Sequence, residues 1–269
     1  MKLAVSSLAW DPSRDDDVRR LLSTHDVTGV EIAPLKYWPA LSTVTSRALA
    51  TYRQQWADAG ISIVALQGIL FGMPELQLFG SAPQRAALET HLGNTARVAE
   101  ALGARIIVLG APRNRRRGPL SETDAIEKAA PLLRRVAAVA DELGCVLCIE
   151  PTPPQYGGEF ARTLSEALEV VAAVDHPGFG LHLDAGAAQI SQESHPALLE
   201  GARTARHFHI SEVDLVPVGT GTVEHSALGA VLQEGGFVGW KSIEMRPVVG
   251  NLLIEALERA IHVARASYA

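Results

Sequence analysis

Four short apolar stretches in this sequence end on, or carry, a group able to bind a cation or move a proton. Cys145-Val146-Leu147-Cys148-Ile149-Glu150-Pro151 closes on a glutamate, Leu181-His182-Leu183-Asp184 on an aspartate and Ser242-Ile243-Glu244 on a glutamate, while His207-Phe208-His209-Ile210 carries two histidines. Read as β-strands, they place residues two apart on one face. One face reads Ile149, Leu183, Phe208 and Ile243, suited to packing under helices. The other reads Cys148 and Glu150, His182 and Asp184, His207 and His209, Ser242 and Glu244, polar at the same level in every strand. A lone carboxylate at a strand end is usually a cap, and a lone strand histidine is usually a hydrogen-bonded core residue. The joint pattern is different, because burying three carboxylates together without a cation would be strongly unfavourable. Glu150, Asp184, His209 and Glu244 are therefore expected to hold one divalent metal ion. Three oxygen ligands and one imidazole suit Mn²⁺ best, with Mg²⁺, Co²⁺ or Zn²⁺ as alternatives.

The elements that must position these residues alternate along the whole chain. Strand patterns at Leu3–Ser7, Val27–Ile32, Ile61–Leu66 and Arg105–Leu109 precede the four stretches above. Helical patterns follow at Asp15–Thr24, 43–59, 83–102 and 121–143, then at 163–174, 196–201, 226–234 and 252–266. Gly60 and Gly103 read as helix stops, and Ser121-Glu122-Thr123-Asp124 as a helix start. Eight strand–helix units in 269 residues predict an α/β fold, a single (β/α)8 TIM-barrel domain over residues 1–269. Chemistry in such barrels sits at the C-terminal ends of the strands, where Glu150, Asp184, His209 and Glu244 fall.

Composition narrows the function classes. A hydrophobic share of 47% suits a globular unit with a sizeable core, and a net charge of −6 argues against a nucleic-acid-binding surface. The two cysteines, Cys145 and Cys148, lie on one strand without facing each other, so they are expected to be core residues or to reflect a reducing compartment. No apolar run approaches ~18 residues, so no membrane span is expected. The N-terminus runs into a strand pattern without a signal-peptide layout. Cytoplasmic localisation is the expectation.

Ile149-Glu150-Pro151, Leu183-Asp184-Ala185-Gly186, His207-Phe208-His209-Ile210 and Ser242-Ile243-Glu244 together resemble the xylose isomerase-like TIM-barrel family of sugar isomerases and epimerases, and in length its ketose 3-epimerase branch. The loop Val218-Gly219-Thr220-Gly221-Thr222-Val223-Glu224-His225 resembles that family's Gly-x-Gly-x-x-Asp segment after the seventh strand. The resemblance implies that Glu150 and Glu244 both ligate the metal and act as an acid–base pair, with Asp184 and His209 as ligands only. It further implies a sugar or sugar-derivative substrate, deprotonated beside a carbonyl and passing through a metal-stabilised enediolate. Two departures stand out. Ala187 occupies a position where many family members have a histidine, and Glu224 stands where the family often has aspartate.

Weaker candidates surround the four ligands. Glu31 and Gln67, at the ends of strands two and three, could touch substrate hydroxyls. Arg246, two past Glu244, is expected to face the mouth. In the run Arg113-Asn114-Arg115-Arg116-Arg117, one arginine, Arg113 among them, could hold a phosphate or carboxylate; otherwise the run is a solvated loop. His182 and His207 sit one layer under the ligands, as hydrogen-bonding support or as core histidines. Trp10, Tyr37, Trp38, Phe71, Met73 and Tyr156 could wall a pocket or form a contact in a homo-oligomer, dimer or tetramer. Two other activities compete with epimerisation or isomerisation. One is an inosose-type dehydratase with the same metal site, and the other an abasic-site endonuclease or non-catalytic barrel, which Ala187 and the acidic balance disfavour.

Overall fold

The computed structural model describes residues 1–250 and 252–269. Eight parallel strands close into a barrel in sequence order: β1 (Leu3–Ser6), β2 (Gly29–Ile32), β3 (Ser62–Leu66), β4 (Ile106–Leu109), β5 (Val146–Ile149), β6 (Phe179–Asp184), β7 (Ala205–Ile210) and β8 (Trp240–Ile243). The helices are α1 (Asp15–Thr24), α2 (Ser46–Ala57), α3 (Ala82–Leu102), α4 (Glu122–Glu142), α5 (Leu164–Val174), α6 (Ala185–Ile190), α7 (His195–Thr204), α8 (His225–Glu234) and α9 (Leu252–Tyr268). This is the (β/α)8 TIM barrel that the alternation predicts, with one short helix, α6, added after β6. No described helix is long and apolar enough to cross a membrane.

Local chemistry sets the element ends. Ser121 caps α4 by accepting the Asp124 N–H at 3.1 Å, and Thr163 caps α5 by accepting that of Glu166 at 3.3 Å. Gly103 closes α3 in the left-handed region at φ +83°, which an L side chain adopts at a cost. One helix start differs from expectation. The stretch Leu41–Thr43 forms a separate 3₁₀ turn, so α2 begins at Ser46 under a Thr45 cap. α1 begins at Asp15 as expected, without a side-chain cap, and Asp11 caps the preceding turn by accepting the Ser13 N–H.

The facing expected of the strands is observed. Ile149, Leu183, Phe208 and Ile243 join the main core between sheet and helices. Inside the barrel, Ala4, Val64, Ala65, Ile106, Val108 and Cys148 form a separate small apolar cluster. Cys145 belongs to the outer core and Cys148 to the inner one, and both are free and buried. The ladder fixes the level of the polar residues, pairing Asp184 with His209 and His209 with Ser242.

Candidate metal and proton-transfer site

His209 lies at the centre of the polar side of the barrel and is 1% exposed. Its Nε2 is 3.0 and 3.2 Å from the two oxygens of Glu31. Its Nδ1 points the other way, 3.1 Å from Glu244 Oε2, 3.8 Å from Glu150 Oε1 and 3.9 Å from Asp184 Oδ2. That nitrogen is buried without a hydrogen-bond partner. A buried ring nitrogen facing three carboxylates, 3.1 Å from the nearest but outside hydrogen-bond geometry, fits a divalent cation.

Each carboxylate is placed by its own surroundings. Glu150 follows the last residue of β5 and its side chain, 19% exposed, is the most open of the three. It lies over the end of β4, where a Cβ on Gly110 would come within 2.2 Å of Glu150 Oε2 and would push the carboxylate from this position. Asp184 ends β6 and caps α6, its Oδ1 accepting the Ala187 N–H at 2.6 Å and its Oδ2 the Ser211 hydroxyl at 2.6 Å. Burial and then the charges of Glu244 and Asp184 push Glu150 up to about 8. Burial and the charge of Glu244 push Asp184 up to about 6. Carboxyls raised in this way need either a proton or a cation.

Ligating atoms of Glu150, His182, Asp184 and His209 lie within 4.8 Å of one another. His182 therefore stands closer to the cluster than its place one layer below suggested, with Nε2 3.7 Å from Glu150 Oε1. Both ring nitrogens of His182 and of His207 are buried without hydrogen-bond partners. Burial lowers the pKa of both rings, which favours the neutral form.

Above the cluster opens a cavity of about 340 Å³ lined by Glu150, Asp184 and Glu244, by Pro112, Pro151 and Thr152, and by Tyr156, Ala187, Asp214 and Leu215. Among the described residues, four carboxylates line it and no lysine or arginine does. The Tyr156 hydroxyl fixes the far wall by accepting the Asp214 N–H at 2.8 Å, beside two residues with left-handed backbone, Asp214 at φ +57° and Leu215 at φ +53°.

Four expected substrate contacts fall elsewhere. Glu31 is fully buried under His209, where Ser242 donates to its Oε2 at 2.8 Å. Gln67 lies in the same layer, donating to Ser6 Oγ at 2.5 Å and, more weakly, to Glu31 Oε2 at 3.5 Å. Barrel strands tilt and shear, so equal distance from a strand end does not mean equal height. Arg246 is exposed and outside the cavity lining, because β8 ends at Ile243 and strand alternation does not extend past it. Arg113 is likewise exposed and outside the lining.

Sequence reasoning missed which arginine of the run matters structurally. Arg115 is 1% exposed and donates to Glu150 O at 2.9 Å and Thr152 Oγ1 at 2.7 Å. It thereby pins the turn that presents Glu150, and burial lowers its pKa to about 10 against the opposing pull of Glu150. Its neighbour Asn114 ties the same loop to Met73 O and Leu76 O, each at 2.7 Å. Periodicity carries no signal that separates Arg115 from Arg113 or Arg116. Glu212 was also missed. Its carboxylate accepts the Gly219 and Val223 N–H groups, each at 3.0 Å, and lies 3.1 Å from His225 Nε2. A Cβ on Gly221 would meet Glu212 Oε2 at 2.2 Å, which explains a glycine in that loop. Glu224 makes no capping bond at the start of α8.

The xylose isomerase-like TIM barrel family model matches residues 19–265. Among solved structures, the chain is similar to the D-psicose 3-epimerase of Clostridium cellulolyticum H10, with TM-score 0.83, 16% identity and coverage of 100% of this chain and 99% of that one. It is similar to the IOLI protein with a bound zinc atom, with TM-score 0.79, 19% identity and coverage of 100% and 98%. A 3-keto-D-glucoside 4-epimerase from E. coli follows the same fold, with TM-score 0.74, 18% identity and coverage of 96% and 98%. The closed eight-stranded barrel and the match over nearly its whole length make this chain a member of the xylose isomerase-like TIM-barrel family.

Proposed function

We propose that the chain is a divalent-metal-dependent epimerase or isomerase of an uncharged sugar or sugar derivative, acting by proton transfer next to a carbonyl. The observation that carries this reading is the convergence of Glu150, Asp184 and Glu244 around the unpartnered Nδ1 of His209, directly beneath an open cavity. Glu150, Asp184, His209 Nδ1 and Glu244 would hold the ion, with Mn²⁺ favoured by the oxygen-rich donor set and Mg²⁺, Co²⁺ or Zn²⁺ as alternatives. A divalent ion there would polarise the carbonyl oxygen and share the negative charge that enolisation puts on it.

The protein's own groups supply the rest. Glu150 and Glu244 extend from β5 and β8, three strands apart around the barrel, and both reach the cavity. Two carboxylates approaching from different sides suit removal of a proton from one face and its return to the other. Asp184 is tied to Ser211 and to the Ala187 N–H, which suits a fixed ligand better than a mobile base. The charged side chains that line the cavity are all carboxylates, which disfavours phosphorylated or acidic sugars, since no lysine or arginine among the described residues lines it to meet the extra charge. The names of the structural neighbours, two of them sugar epimerases, are in keeping with this reading.

The test is incubation of Mn²⁺-loaded protein in D₂O with a panel of neutral ketoses and their phosphates. The reading expects a product of unchanged composition carrying solvent deuterium at the carbon next to the carbonyl, from neutral substrates only. A product lighter by one water would move the reading to a dehydratase. Absence of exchange in every sugar with metal bound would end it.

A further inference from the structure

Glu31 is a buried acid that the proton-transfer scheme does not use. It is 0% exposed, and both oxygens face Nε2 of His209 at 3.0 and 3.2 Å. A carboxylate can only accept, so Nε2 must carry the proton, and in a neutral ring the lone pair then resides on Nδ1. Nδ1 is the atom that faces Glu150, Asp184 and Glu244. We propose that Glu31 is a positioning residue for the metal centre, holding His209 in the tautomer and rotation that present Nδ1 as the ligand. The inference rests on the metal-site reading above.

Glu31 is itself held by the framework. Ser242 on β8 donates to Oε2 at 2.8 Å, and Gln67, beyond β3, reaches the same oxygen at 3.5 Å while donating to Ser6 on β1. Ser242 on β8 and Gln67 just past β3, itself tied to Ser6 on β1, therefore fix its position before any ion binds. A carboxylate so placed also raises the basicity of the ligating nitrogen and offsets part of the ion's charge. A rival arrangement puts an ion lower, among Glu31, His207 and His209, whose ligating atoms lie within 4.8 Å of one another. That ion would need the Nε2 lone pair and would displace the short contacts to Glu31. It would also lie in a closed layer, since all three residues are at most 1% exposed, whereas the upper cluster opens on the cavity.

The test titrates Zn²⁺ calorimetrically into wild type, Glu31→Gln and Ser242→Ala, and records ¹⁵N-edited histidine spectra of the Zn²⁺-loaded wild type. The proposal expects one equivalent in wild type, with His209 protonated at Nε2 and metallated at Nδ1. Glu31→Gln should bind roughly 10- to 100-fold more weakly. Ser242→Ala, which removes one donor to Glu31, should weaken binding less. Wild-type affinity in folded Glu31→Gln, or His209 protonated at Nδ1 in the loaded wild type, would overturn it. So would a second equivalent that disappears in Glu31→Gln, which would establish the lower ion instead. If Glu31→Gln does not fold, the wild-type tautomer decides. Failure of wild type to bind any ion would instead remove the metal-site reading itself, and the positioning role with it.

Discussion

Along β1, β3 and β4 the barrel interior is filled by Ala4, Val64, Ala65, Ile106 and Val108. Along β6, β7 and β8 it holds His182, His207, His209 and Ser242, with Glu31 reaching in from β2, all fully or almost fully buried. The first half needs only shape, because apolar side chains of about the right volume fill it. The second half places ionisable groups where each must find a partner. Glu31 has His209, Ser242 and Gln67, while His209 Nδ1 is left for the carboxylates above. One side of a barrel can thus be a plug while the other is a site, and the unsatisfied ring nitrogens of His182, His207 and His209 mark which is which.

The sharpest break in that asymmetry comes from the two glutamates that reach the cavity. Glu150→Gln and Glu244→Gln keep size and one oxygen donor but cannot accept a proton at neutral pH. Each should lower turnover by about 10²- to 10⁴-fold while retaining the fold, read by steady-state kinetics beside circular dichroism. In D₂O, one variant should still exchange a proton of the substrate and the other a proton of the product, neither inverting the centre. Near-wild-type turnover in both, with metal bound, would refute a paired-glutamate mechanism.

Stability should divide between the halves in the same way. His209→Leu leaves Glu31 as a buried charge without its main partner, a loss of about 3–5 kcal/mol by analogy with broken buried pairs. Ile106→Val, in the apolar half, should cost only about 0.5–1.5 kcal/mol. Urea denaturation of the two variants checks the contrast, and equal losses would mean that the histidine cluster is ordinary core.

The pH dependence has a definite sign. Glu150 at about 8 and Asp184 at about 6 lie above their values in an unfolded chain, near 4. Between roughly pH 4 and 8 these two carboxyls hold protons in the metal-free native state that the unfolded state has released, which makes stability fall as pH rises, while the neutral rings of His182 and His207 oppose that trend below about pH 6.5. Thermal melts of metal-free protein should show Tm declining from about pH 6.5 to 8, where the carboxyls act unopposed by the histidines. A divalent ion at about 100 times its Kd should return about 2.7 kcal/mol, most visibly at the alkaline end. A flat profile without metal would contradict the burial of these carboxyls.

The smallest effect should come from the arginines outside the cavity. Arg246→Ala should change kcat/KM on neutral sugars by less than about two-fold, since exposed side chains away from a site rarely matter more. A larger effect confined to phosphorylated substrates would restore Arg246 as an anion contact.

The barrel and the level of the four polar strand ends were legible in the sequence, because period-two alternation is enforced by the ladder from Cys148 to Glu150 and from Ser242 to Glu244. The same reasoning failed where the ladder stops or shears. Arg246 lies past the end of β8, and Glu31 and Gln67 sit a layer lower than their strand positions imply. Arg115 was hidden for a different reason. Its burial depends on the carbonyls of Glu150 and Phe160, which come from another loop about forty residues away. Short α6 was likewise not anticipated, since its start is an aspartate already read as a ligand.

The most direct measurement is the anomalous difference density of a crystal of this protein grown with Mn²⁺. The account predicts a single ion among Glu150, Asp184, Glu244 and His209 Nδ1, with Glu31 on His209 Nε2 beneath it. An ion seated below His209 against Glu31 and His207, or density only at surface carboxylates, would contradict it.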